Sequence, residues 1–219
     1  MNKVVVFDLD DTLYKEIDFL NSAFNEIALI ISRDLQINPN DIFSNMLDLY
    51  NTKENVFQGI LNKHNSLKYT VNDLLDIYRA YRPNISLSNN IKKVLNELQF
   101  EGVFLGIITD GRSKQQRNKI KALGLGKYVE NIIISEEFGF EKPHLANYAY
   151  FQNLYPNMSY YYVGDNLKKD FIAPNKLGWK TICIKDDGRN IHSQDIQLNK
   201  INEPKYYINC FSELPHLVL

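Results

Sequence analysis

The chain has 219 residues, 44% of them hydrophobic, and 25 basic side chains stand against 26 acidic ones. That length and composition suit one domain, or one domain carrying a smaller insertion, with a substantial core. The near balance of charge excludes the basic excess of a nucleic-acid binder and the acidic tail of a disordered partner segment.

Cys183 and Cys210 form neither a CxxC pair nor a cluster with the four histidines, so reduced thiols are expected rather than a disulfide framework or a zinc site. The apolar run before Asp8, Val4 to Phe7, is too short for a signal peptide, and no stretch approaches the ~20 apolar residues of a membrane span. A soluble, cytoplasmic protein is expected, with no membrane association, no nucleic-acid polymer and no protein partner.

In chain order, Val4-Val5-Val6-Phe7 is a continuous β-prone run, the pattern of a strand buried on both faces of a parallel sheet. Residues 16–84 then break from strand character. Phe19, Leu20, Phe24, Ile27, Ala28 and Ile31 recur at helical spacing, as do Ile42, Met46, Leu47 and Tyr50, then Val56, Ile60 and Leu61, then Leu74, Leu75 and Tyr78. Asn38-Pro39-Asn40-Asp41 reads as a turn into a helix, and Thr70-Val71-Asn72-Asp73 as another helix start. A four-helix insertion is expected, ended by Pro83, with Asn84 to Asn90 as the return linker.

Beyond it, apolar runs at Val103 to Ile108, Val129 to Ile134, Tyr160 to Val163 and Thr181 to Ile184 alternate with helical patterns at Ser113 to Leu123, His144 to Asn153 and Lys168 to Leu177. This alternation predicts an α/β fold with a doubly wound, mostly parallel Rossmann-like sheet and an inserted helical unit. The expected division is residues 1–15 with 85–219 as one domain and residues 16–84 as the other.

Ligands of open α/β sheets bind at the carboxyl ends of the strands. There the sequence places Asp8 and Asp10, Thr109-Asp110-Gly111, Ser135, and Gly164-Asp165. Two carboxylates two residues apart in extended chain point the same way and call for a cation, and oxygen ligands favour magnesium. Taken alone, Asp10-Asp11-Thr12 also reads as a turn. Thr109-Asp110-Gly111 offers a hydroxyl, turn amides and a helix start to an anion, and is also an ordinary strand-to-helix turn. Lys142, before Pro143, by default reads as a surface charge, and Asp170 as a helix-start acid.

In this order and on these elements, the four signals resemble the haloacid dehalogenase superfamily, specifically its phosphatases. The first motif, D-x-D-x-T, corresponds to Asp8, Asp10 and Thr12, the second to Thr109, the third to Lys142, and the fourth, an acidic pair, to Asp165 and Asp170. The resemblance spans essentially the whole chain, including a helical cap after the first motif.

It implies hydrolysis of a small phosphorylated metabolite, with Asp8 as nucleophile forming an aspartyl-phosphate and Asp10 as acid, then base. It implies Mg2+ held by the Asp8 carboxylate, the Asp10 backbone carbonyl and Asp165. Lys142, Thr109 and the Asp110-Gly111 backbone would bind the phosphoryl group, and Asp170 would orient Lys142 or a water on the ion. Asp11 reads as a loop or capping residue and His144 as a helix-start histidine. The stretch after Lys142 departs from the family, reading Pro-His-Leu-Ala where many relatives have Pro-Asp-Pro.

The inserted cap implies a lid that selects substrates. Lys15, Glu16, Arg79 and Arg82 at its hinges are candidate contacts, against a default reading as surface charges, and Phe19, Phe24 and Tyr50 read as cap core. Asp10 argues against a dehalogenase, which lacks that second acid. A phosphomutase and a non-catalytic scaffold of the same fold stay open.

Overall fold

The computed structural model describes residues 2–65 and 67–219. The chain divides into two compact units, one running up to Ile17 and resuming over Ile85–Leu219, the other Asp18–Asn84.

After β1 (Lys3–Phe7), the described residues of the helical unit form four helices: α1 (Glu16–Leu35), which begins two residues before the unit boundary, α2 (Pro39–Asn51), α3 (Val56–Lys63) and α4 (Val71–Ala80). Local chemistry sets their starts. The Asn38 side chain accepts the N–H of Asn40, with Pro39 at the first helical position. Thr70 and Asp73 form a reciprocal capping box. Phe19 and Phe24 are buried, and Phe24 meets Tyr50, Phe57 and Tyr78 at ring distances of 6.2, 6.3 and 6.0 Å. These aromatics are the unit's own core.

The other unit resumes with α5 (Asn89–Phe100), β2 (Phe104–Thr109), α6 (Ser113–Ala122) and β3 (Asn131–Ile134). It continues through α7 (Ser135–Phe138), α8 (Leu145–Leu154), β4 (Ser159–Gly164), α9 (Ile172–Lys176), β5 (Lys180–Ile184), β6 (Tyr206–Ile208) and α10 (Leu214–Val218). All strand pairs are parallel, in the order β3-β2-β1-β4-β5-β6. Val4 to Phe7 are wholly buried. Val4 and Val6 pack with Tyr148, Phe151, Tyr162 and Trp179, while Phe7 lies 5.7 Å from Phe211, as the alternation of side chains along a strand requires. β2 needs Gly106, because a Cβ there would run into the Phe151 ring.

Several elements differ from expectation, α5, α7 and α10 being helices that were not anticipated. β6 was not legible: it has three residues at the sheet edge, with Tyr207 exposed. The helix expected over Lys168 to Leu177 shrinks to Ile172–Lys176, because the Asp170 carboxylate accepts the N–H groups of Asp165 and Asn166 and folds the preceding segment into a turn. No helix among the described residues is long and apolar enough to cross a membrane.

Candidate active site

β1 lies between β2 and β4, so the residues leaving its carboxyl end meet those leaving its two neighbours. The Asp8 N–H donates to the Val163 carbonyl at 2.8 Å, extending the pairing by one residue and fixing Asp8 at the strand tip. Its carboxylate receives Lys142 Nζ at 2.6 Å, and the same amine lies 2.7 Å from Asp170 Oδ1 and 3.3 Å from the Tyr162 hydroxyl. All three charged groups are buried. Burial works against the lysine's charge, but Asp170 and Asp8 outweigh it and hold Lys142 well above its usual range.

Asp170 is fully committed. One oxygen faces Lys142, and the other accepts the N–H groups of Asp165 and Asn166 at 3.2 and 2.9 Å. The approach requires Gly164, since a Cβ there would come within 2.5 Å of Asp170 Oδ2.

Asp165 and Asp8 are freer. They and Asp170 bring carboxylate oxygens within 4.8 Å of one another. Asp165 accepts from Asn190 Nδ2 at 3.1 Å and, at 3.5 Å, from the Thr12 hydroxyl. Burial, with Asp170, Asp8 and Asp11 around it, pushes the Asp165 carboxyl up to about 9. Burial also pushes Asp8 up to about 7, Lys142 opposing the rise and Asp170 adding to it. Among the described residues, six acids line this cavity (Asp8, Asp10, Asp11, Glu16, Asp110 and Asp165) against two lysines, Lys142 and Lys169. An oxygen-only set with that excess of negative charge fits a hard divalent cation, and Asp8, Asp165 and Asp170 are the carboxylates whose oxygens lie close enough to share one.

The Asp10 carboxylate is held by a separate set of donors. Oδ1 receives Lys119 Nζ at 2.7 Å and the Tyr14 hydroxyl, and Oδ2 receives Gln116 Nε2 at 2.8 Å. Burial favours the acid form, but Lys119 and the three hydrogen bonds hold Asp10 below the usual carboxylate range. Glu16, 3.3 Å from Lys119, is pushed up to about 7 by burial and by Asp10.

The second segment places Thr109, Asp110 and Gly111 at the tip of β2. Thr109 Oγ1 accepts from Gln116 at 2.6 Å, and the Gly111 N–H donates to Ser135 Oγ at 3.0 Å. Asp110 bridges the Lys142 backbone N–H (2.9 Å) and Lys169 Nζ (2.7 Å), so its carboxylate braces the third motif. Asp11 accepts the N–H groups of Glu16 and Ile191, a loop role. His144 caps α8 through the Ala146 N–H and stacks on Phe140, and it does not line the cavity.

Asp8, Thr109, Asp110, Lys142 and Asp165 thus line one cavity with Asp10, and Asp170 lies directly behind Lys142. Several contacts were not anticipated from sequence. Gln116 and Lys119 sit three apart on α6, buried despite their polarity, and their i,i+3 spacing after the second motif was the available signal. Lys15 meets Asn190 and Asp187, and Glu16 meets Lys119, so neither is the plain surface charge of the default reading. A strap after β5 closes one side, with Asn190 on Asp165 and Gln194 Nε2 donating to the Asp165 carbonyl at 2.8 Å.

A model of the family described as haloacid dehalogenase-like hydrolase matches residues 5–184. The chain is 29% identical to a glyceraldehyde 3-phosphate phosphatase of Methanocaldococcus jannaschii, over 100% of this chain and 97% of that one. It is 30% identical to the protein of the same name from Pyrococcus furiosus, over 84% and 80%. Among solved structures, a HAD-hydrolase of Bacillus subtilis bound to magnesium superposes with a TM-score of 0.68 at 22% identity, over 99% of this chain and 98% of that one.

Proposed function

The chain belongs to the haloacid dehalogenase-like hydrolases and is a phosphatase of that family, and we propose that it hydrolyses a small phosphorylated metabolite through an aspartyl-phosphate on Asp8, with Mg2+ bound. The observation that carries this reading is the pairing of Asp8 with Lys142 at 2.6 Å beside Asp165, with Asp10 two residues on.

In the first step an Asp8 oxygen attacks phosphorus as the bond to the ester oxygen breaks, and Asp10 protonates the departing alkoxide. In the second, water attacks phosphorus, Asp10 takes its proton, and the bond to Asp8 breaks, releasing inorganic phosphate. Lys142 neutralises charge on the transferring oxygens, and Thr109 with the Asp110 end of the Asp110-Gly111 backbone hydrogen-bonds them, the Gly111 N–H being spent on Ser135. Asp170 and Asp110 keep Lys142 in place. The Asp8 and Asp165 carboxylates, with the Asp10 carbonyl, are assigned to hold Mg2+, which supplies charge neutralisation where a carboxylate must meet a phosphate dianion.

The substrate class is a short phosphorylated aldehyde or sugar, by likeness to relatives named for glyceraldehyde 3-phosphate. The helical unit, which carries none of these side chains, is assigned the role of selective cap. A cytoplasmic location belongs to the same reading, and the free thiols Cys183 and Cys210 are compatible with a reducing compartment.

The test is phosphate release from a panel of phosphate monoesters including glyceraldehyde 3-phosphate, with Mg2+ and after chelation, together with acid-quench trapping of labelled enzyme. Mg2+-dependent release and a label absent from Asp8→Asn are expected. Undiminished release after exhaustive chelation, or labelling of folded Asp8→Asn, overturns the proposal.

A further inference from the structure

Lys119 is a lysine with 1% of its surface exposed, on a helix that contributes no motif residue. Stability explains it poorly, because a buried ion pair is matched or bettered by apolar side chains of similar volume. What it touches explains it better. Lys119 Nζ lies 2.7 Å from Asp10 Oδ1, to which the Tyr14 hydroxyl also donates.

One helical turn earlier, Gln116 is equally buried, and its amide nitrogen has two hydrogens and two acceptors, Asp10 Oδ2 at 2.8 Å and Thr109 Oγ1 at 2.6 Å. The orientation of this amide follows from charge, since its carbonyl turned toward the carboxylate would repel it. The Thr109 oxygen therefore accepts from Gln116, which leaves the hydroxyl hydrogen to donate elsewhere.

We propose that Lys119 and Gln116 are positioning residues that hold Asp10 as the base for hydrolysis of the phosphoenzyme. This rests on the proposed roles of Asp8 as nucleophile and Asp10 as acid and base. With donors on both oxygens, the Asp10 carboxylate is fixed in one rotamer while lone pairs remain to take a proton from water. Gln116 also ties that base to the hydroxyl that anchors the phosphoryl group, so attacking water and phosphorus are registered through one side chain. The same pair of residues thereby sets the second half-reaction apart from the first. Phosphorylation by an ester with a good leaving group needs no proton from Asp10, whereas dephosphorylation needs the held carboxylate.

The experiment uses the full chain with Mg2+ and p-nitrophenyl phosphate, whose leaving group departs unprotonated. Wild type, Asp10→Asn, Lys119→Met and Gln116→Leu are followed by rapid quench, with thermal melts to verify folding. Lys119→Met is expected to lower kcat at least about tenfold, a fraction of the full general-base effect, while kcat/KM is retained. A nitrophenol burst stoichiometric with enzyme and accumulation of phosphoenzyme accompany it. Gln116→Leu is expected to show the same burst, with lower kcat/KM in addition because Thr109 loses a partner, and it decides the matter if Lys119→Met does not fold. A parallel fall in kcat and kcat/KM without a burst is what a merely structural role predicts, and it overturns the inference. Asp10→Asn separates the two failures. If it too shows no burst and no phosphoenzyme, the assignment of Asp10 as base is at fault. If Asp10→Asn accumulates phosphoenzyme and the α6 variants do not, only the positioning role falls.

Discussion

Lys142 Nζ stands 2.7 Å from Asp170 Oδ1, with 1% of the lysine side chain and none of the aspartate exposed. The pair is a lysine held at Asp8, the proposed nucleophile, by an acid that is itself held by two backbone amides. Asp170→Ala leaves that ammonium short of a counter-charge and those amides short of an acceptor. A loss of about 3–5 kcal/mol is expected, the range for breaking a buried pair from one side. Urea unfolding of the variant measures it, and a change within error of zero contradicts this role for Asp170.

Gly164→Ala and Gly106→Ala separate site from core. The new Cβ at 164 meets the Asp170 carboxylate at 2.5 Å and displaces the acid that positions Lys142. The Cβ at 106 runs into the Phe151 ring, deep among apolar side chains. The first is expected to lower kcat sharply relative to its change in stability. The second is expected to cost about 1–3 kcal/mol of stability by overpacking, with kcat of the folded fraction preserved. Melting curves and initial rates on both variants check the contrast.

The acid pair gives a third expectation. Asp8→Asn abolishes turnover, since an amide is a poor nucleophile. Asp10→Asn retains the nucleophile but loses proton transfer, lowering the rate roughly 10²–10⁴-fold. Steady-state rates on correctly folded variants measure both, and a wild-type rate in either removes that residue from the mechanism.

Metal and pH are linked through Asp165. Its folded-state value of about 9 lies above the ordinary carboxylate value of 3.8. A raised folded value means that the metal-free protein binds this proton more tightly than the unfolded chain. The stability it contributes is complete below the ordinary value and is lost as pH rises toward about 9. A divalent cation must displace the proton, so Mg2+ affinity is expected to rise with pH across that window, with proton release on binding. Titration calorimetry in buffers of different ionisation enthalpy reads the released proton. A pH-independent affinity contradicts the linkage. Calcium, which accepts more oxygens, is expected to draw both oxygens of Asp8 toward itself and to inhibit, which a competition assay against Mg2+ tests.

Much of this molecule was legible because its candidate site sits at the tips of apolar strands. Val4 to Phe7 announces β1, and Asp8 is simply the next residue. Thr109 and Asp165 follow the same rule at β2 and β4. The rule fails for side chains that reach the site from a helix face. Gln116 and Lys119 look like solvent-facing residues in a helix with a mostly polar sequence, and their i,i+3 spacing is a weak signal beside the contacts of α6 with the first loop that bury them. Asn190 and Gln194 were invisible for a different reason. They lie in an irregular strap with no periodicity to read, and their partners are distant in sequence.

The order of strands also bears on how the protein is made. β1 precedes every other strand in chain order, yet its neighbours in the sheet are β2, beginning at Phe104, and β4, beginning at Ser159. The first strand must wait for partners far along the chain, which raises loop-closure entropy and slows formation of the sheet. The same delay keeps Asp8 away from Asp165 and Asp170 until synthesis has passed them. A nascent chain stopped before β4 therefore lacks the Asp8, Asp165 and Asp170 cluster, and the proposed cation site is assembled only when β1 and β4 can lie side by side.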